Sequence, residues 1–143
     1  MFFRRFRAIF IIVLVFTILI SIIFLIKQIK QDELNKQLTK VELQNVRIST
    51  GISNGVLGTG IFGEINNKGE KTISIAEMIV KFMNEDGEVA KVHKFFPVNK
   101  FSFRESLPLK PGQSKEFGFP IDDIVPEDWD GTFTARLTEL IFK

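Results

Sequence analysis

The sequence predicts an all-β sandwich of about seven antiparallel strands behind one N-terminal transmembrane helix. Three observations carry this expectation. Ala8 to Ile26 holds no charge, the pattern from residue 41 changes to short alternating runs between turn residues, and no apolar helical period follows.

The helix comes first. Ala8–Ile26 is long enough, at about 1.5 Å per residue, to cross a hydrocarbon core of about 30 Å. No small-residue cleavage site follows it: the segment runs directly into Lys27-Gln-Ile-Lys30-Gln-Asp-Glu, so an uncleaved anchor is expected rather than a signal peptide. Arg4-Arg5 superficially matches a twin-arginine signal, but the following region is too apolar, and these arginines read as a basic membrane flank. Arg4, Arg5 and Arg7 are packed more densely than Lys27, Lys30, Lys36 and Lys40 on the other side. By the positive-inside rule the N-terminus is expected inside, with the rest of the chain periplasmic or extracellular on a single-pass inner-membrane protein. Thr17 and Ser21 lie four apart, on one helix face where small polar residues admit a neighbouring helix; hydroxyls bonded to their own helix are the plainer reading. Residues 27–40 continue as a helical stalk with too few apolar positions for a coiled coil.

The strands follow in order. Val41–Thr50 ends at a Gly51-Ile-Ser-Asn-Gly55 loop. Val56–Asn66 sets Ile61, Gly63 and Ile65 on one face and ends at Asn66-Asn-Lys-Gly69. In Thr72–Met83, Ala76, Met78, Val80 and Phe82 point one way while Glu77 and Lys81 point the other. Asp86-Gly87 gives a hairpin signal before Val89–Pro97. Phe101–Leu107, Ser114–Ile121 and Thr132–Phe142 complete the set, with a turn at Lys110-Pro-Gly-Gln113. The expected core is Ile61, Ile65, Met78, Val80, Phe82, Val89, Phe117, Phe119, Phe133, Ala135 and Leu137.

Composition narrows the function classes. Residues 1–40 hold seven basic and two acidic residues, whereas residues 41–143 hold 12 basic and 15 acidic, so the net +2 conceals a mildly acidic domain that is unsuited to nucleic acid. With no cysteine there is no disulfide, thiolate nucleophile or thiolate metal site. Sixteen Phe stand against no Tyr.

Gly63-Glu-Ile-Asn66-Asn-Lys-Gly69, the apolar run Ile73 to Phe82, Asp86-Gly87 and Leu109-Lys-Pro111-Gly112-Gln-Ser-Lys-Glu-Phe117 together resemble the pattern of FxLYD-type domains. The resemblance covers about residues 56–121, although the namesake motif is absent. It implies a small immunoglobulin-like sandwich of the kind found on bacterial lipoproteins and membrane-anchored proteins, used for adhesion or scaffolding without catalytic residues.

Several patterns invite chemical readings. Gly58-Thr-Gly60-Ile-Phe-Gly63 spells G-x-G-x-x-G, but no helix follows to hold a pyrophosphate, so these are strand glycines admitting a close approach. Gly51-Ile-Ser53-Asn-Gly55 spells a nucleophile elbow without its strand-to-helix turn. His93 stands alone, as a surface or edge-strand residue. Asp122, Asp123, Glu127, Asp128 and Asp130 form an acidic loop; Asp122, Asp123, Asp128 and Asp130 are the candidate Ca²⁺ ligands, against a solvated crossover loop. Trp129 caps the open end of the sandwich or anchors a partner. Phe95 and Phe96, being adjacent, put one ring on each sheet face, so one is available for contact. Lys91, Lys94, Lys100, Arg104 and Lys110 give that region a basic bias suited to headgroups or a protein.

The expectation is a non-enzymatic, membrane-anchored accessory or scaffolding protein, a candidate small subunit of a larger membrane complex. Its interaction residues would be Thr17, Ser21, Phe95, Phe96 and Trp129, its lipid contact residues 8–26, with no cofactor and no small-molecule substrate identified. The alternative is an extracytoplasmic ligand- or Ca²⁺-binding domain using the 122–130 loop.

Overall fold

The computed structural model describes the backbone of residues 2–53, 56–102 and 107–143, and the side chains of residues 13–52, 57–102 and 107–143. One helix, α1 (Phe2–Leu38), precedes six strands: β1 (Val41–Ser53), β2 (Val56–Asn67), β3 (Ile73–Asn84), β4 (Val89–Asn99), β5 (Ser114–Pro120) and β6 (Trp129–Phe142). By internal packing the chain divides into two units, Met1–Lys36 and Gln37–Lys143.

In the first unit, the apolar side chains from Val13 to Ile26 are all 48–68% exposed. None is covered by protein. This is a helix long and apolar enough to cross a membrane, and one unbroken helix carries through the expected span and on to Leu38.

The second unit is a two-sheet antiparallel sandwich. One sheet has the order β1-β2-β5 and the other β4-β3-β6. Period-2 alternation decides which side chains meet between them: Ile61 and Ile65 from β2, and Ala76, Met78, Val80 and Phe82 from β3, are fully buried. Ile73, Val98 and Ile121 are buried as completely. Phe95 of β4 stacks on Phe119 of β5 at 5.0 Å between ring centroids, joining the two sheets.

Three expectations are corrected. Six strands are found among the described residues rather than seven; the expected strand over 101–107 falls largely on residues 103–106, outside the described residues, and Phe101, Ser102 and Leu107 belong to no strand. The loop placed at residues 51–55 is instead strand through Ser53, a hairpin in which Ile52 pairs with Leu57. Val89 is not core but 45% exposed. The β3–β4 register shifts between Phe82 and Met83, so Val89 lies opposite Met83 rather than on the Phe82 row. Phe119, Phe133, Ala135 and Leu137 are half-buried.

The turns follow their residues. Pro111 and Gly112 occupy the central positions of a turn closed by Gln113 N–H donating to Lys110 C=O (3.1 Å); Gly112 has φ +74°, as a type II turn requires. At Asn84–Glu88, Gly87 N–H donates to Asn84 C=O (2.9 Å), and Gly87 again takes φ +74°. Asp-Gly therefore serves a type I turn with a left-handed third residue.

Candidate functional site

Toward the β1–β2 hairpin, the outward face of the β1-β2-β5 sheet is largely glycine. Gly51 pairs with Gly58, Ser49 with Gly60, Gly60 with Pro120 and Phe62 with Gly118. Phe62 explains two of these glycines. A Cβ on Gly60 would lie 2.8 Å from Phe62 Cζ, and one on Gly118 would lie 2.9 Å from Phe62 Cδ1. The ring lies across both strands, where only glycine leaves room. On the inward face Gly63 does the same for Phe117, whose Cζ would lie 2.7 Å from an added Cβ. The G-x-G-x-x-G spelling is thus a record of two aromatic rings, one on each side of the sheet.

Phe62 keeps 38% of its surface exposed, with an open groove on each side. One, of about 450 Å³, is lined by Phe62, Phe96, Pro97, Phe117, Gly118 and Phe119 between the edges of β5 and β4. The other, of about 400 Å³, runs over the glycines toward Ile52 and Asp122. Phe96 is 40% exposed; Ile52 (75%) and Leu57 (69%) are an exposed cross-strand pair at the hairpin end, on the face of Ile61 rather than that of Phe62. The patch offers flat apolar contact, with Asn99, Ser102, Lys115 and Glu116 bordering the first groove and Thr59 and Asp122 the second. Sequence reasoning missed Phe62, although the flanking glycines were its signal.

The residues expected to interact are dispersed. Phe95 is buried, tilted against His93 at 4.8 Å, whereas Phe96 points out, so the adjacent rings do take opposite faces. Thr17 Oγ1 donates to Val13 C=O (2.8 Å) and Ser21 Oγ to Thr17 C=O (2.9 Å), both within α1. Trp129 meets Phe82 edge-on at 5.8 Å while its Nε1 donates to Thr132 C=O (2.6 Å), closing one end of the core.

The acidic loop is occupied internally. Asp122 Oδ1 accepts from Thr59 N–H (2.8 Å), and Asp130 Oδ1 accepts from Thr132 Oγ1 (2.7 Å) and N–H (2.6 Å). The Thr132 hydroxyl and then its amide hold the Asp130 carboxyl below the usual carboxylate range. Among the described residues no group of three His, Asp or Glu side chains converges as a metal site, so Asp122, Asp123, Asp128 and Asp130 are not brought together. The basic stretch is divided too. Lys94 leaves it to bind Glu77 (3.0 Å), which Thr138 Oγ1 also reaches (2.8 Å) on the outward face of the other sheet; Arg104 lies outside the described residues.

No curated protein and no solved structure matches this chain. The model of DUF2393, described as a protein of unknown function, matches residues 1–137, and the chain belongs to that family.

Proposed function

We propose that the protein is a non-enzymatic, single-pass membrane accessory subunit or scaffold, whose sandwich domain contacts another membrane protein through the outward face of the β1-β2-β5 sheet. The N-terminus lies in the cytoplasm, and the immunoglobulin-like domain, of the FxLYD kind, lies outside it. The observation that carries this reading is the Phe62 platform with Phe96 and the bare glycines beside it, an apolar surface on a chain whose helix has every apolar side chain from Val13 to Ile26 exposed. Contiguous exposed apolar surface marks interaction sites, and tethering to the partner's membrane raises effective concentration, so modest contact suffices.

The test is site-specific photo-crosslinking in native membranes, with benzoyl-phenylalanine replacing Phe62, Phe96 or Pro120 in separate chains and Arg136 as control. The expected result is one discrete adduct with the same membrane protein from the three patch positions and none from Arg136. Adducts spread equally over all four positions, or lipid alone at the patch, would defeat the reading. The Ca²⁺ alternative is tested by melting the chain with and without calcium; no shift abolished by Asp128→Ala with Asp130→Ala disposes of it.

A further inference from the structure

Strand direction sorts the charged loops to opposite ends of the sandwich. β1 leaves the end where α1 joins, the near pole, and its 13 residues reach about 40 Å to the far pole. Backbone hydrogen bonds fix what gathers at each. At the near pole Lys68 N–H donates to Lys40 C=O, Lys100 N–H to Ser74 C=O, and Lys143 N–H to Thr72 C=O, while Leu109 pairs with Ile73 beside Lys110. Lys40, Lys68, Lys71, Lys100, Lys110 and Lys143 therefore converge, with Lys115 just inside β5 beside Glu116; Glu42 pairs with Lys68 (2.6 Å) and Glu70 with Lys40 (3.9 Å). The far pole holds the β3–β4 turn, with Glu85, Asp86 and Glu88, and the 121–130 loop with its five acids, tied down by Ile121 N–H to Thr59 C=O. Neither far-pole loop contains a lysine or arginine.

We infer that the near pole is a docking surface for the anionic headgroups of the bilayer that holds α1, with the acidic far pole held outward by the same field. This deepens the reading above and rests on its membrane anchor. Twelve helical residues follow Ile26, about 18 Å, of which the headgroup layer takes about 5–8 Å. The tether thus lets the near pole stand at most about 10–13 Å from the headgroups, close to one screening length of about 8–10 Å, and any tilt of the helix brings it nearer. Juxtamembrane basic clusters are attracted to anionic lipid over this range. The partner is a lipid headgroup rather than an acidic protein because the tether presents that surface to this pole in every molecule.

The chain has no cysteine, so Ser114→Cys near the basic pole and Gly51→Cys on the far hairpin each take a single fluorophore. Full-length chain is reconstituted into vesicles of phosphatidylcholine alone and of phosphatidylcholine with phosphatidylglycerol, and energy transfer to a headgroup acceptor is measured. Transfer from position 114 is expected to rise in the anionic vesicles, to fall back near 1 M salt, where screening acts within about 3 Å, and to fall when Lys110→Gln reduces the docked-to-free ratio about fivefold. Position 51 is expected not to approach. Equal transfer from position 114 in both lipids, or equal approach of both positions, overturns the inference. So does an approach seen only in native membranes, which would assign the pole to an acidic protein. Failure of the chain to float even with neutral vesicles overturns the anchor reading itself, whereas flotation without dependence on lipid charge overturns this inference alone.

Discussion

Asn67 has almost no surface exposed to solvent and uses its whole amide. Its Nδ2 donates to Lys71 C=O (2.9 Å) and Leu109 C=O (3.1 Å), while Oδ1 accepts from Gly69 N–H (3.0 Å). One side chain thereby joins the β2–β3 turn to the loop before β5. Asn67→Leu keeps the branched shape and strands those three backbone groups, so unfolding by urea, followed by Trp129 fluorescence, should show a loss of about 1–3 kcal/mol. Glu77 is the other polar residue of consequence. Burial pushes its carboxyl up, but the Lys94 and Thr138 hydrogen bonds and the Lys94 charge outweigh that and leave it below its ordinary value. A carboxylate depressed in the folded state contributes stability above its unfolded pKa and loses it as pH falls through the folded one. The stability advantage of wild type over Glu77→Gln should therefore be full near neutrality and shrink as pH falls below about 4.3; a difference constant from neutral to strongly acidic pH would contradict this.

Single elements test how side chains replace one another. Gly60 and Gly51 stand on the same sheet face in the same kind of structure, yet only Gly60 lies beneath a ring; nothing approaches within 4 Å of a Cβ at Gly51. Gly51→Thr should accordingly stabilise by about 0.5–1 kcal/mol through lower chain entropy and better strand propensity. Gly60→Thr should destabilise, and Phe62→Ala should relieve most of that penalty, with a coupling of about 0.5–3 kcal/mol in a double-mutant cycle. In α1 the hydroxyls of Thr17 and Ser21 are satisfied by their own helix, so Thr17→Val with Ser21→Ala should leave carbonate-resistant membrane association unchanged. The strands around Met78 and Val80 were legible because strict alternation fixes which face is buried. The fate of Val89 was not, since a register shift leaves no mark in composition. Phe62 was equally hidden, because a ring's need for glycine on a neighbouring strand is written at Gly118, more than fifty positions away.

At the scale of the molecule, the long apolar helix was fully readable, because nineteen residues without a charge leave nothing to interrupt it. The sorting of charge was not. The acidic loop at 122–130 is visible as a run, but its placement at the same pole as Glu85, Asp86 and Glu88 depends on strand order, as does the placement of Lys68 and Lys143 at the other. The unit Gln37–Lys143 is compact by itself, so a chain beginning at Gln37 should be recovered free of detergent and should unfold cooperatively, as followed by circular dichroism; an aggregated product would contradict that independence.

The central strand β3 is flanked by β4 on one side and by β6 on the other, and β6 comes from Trp129–Phe142. The row Ala76, Met78, Val80 and Phe82 consequently waits, during biosynthesis, for a neighbour translated some fifty codons later. Until those codons are read and their product has cleared the ribosome, half of the strand's hydrogen-bonding groups and its apolar flank stand open to chaperones and proteases. A nonsense mutation removing only β6 should then yield a degraded protein rather than a shortened one.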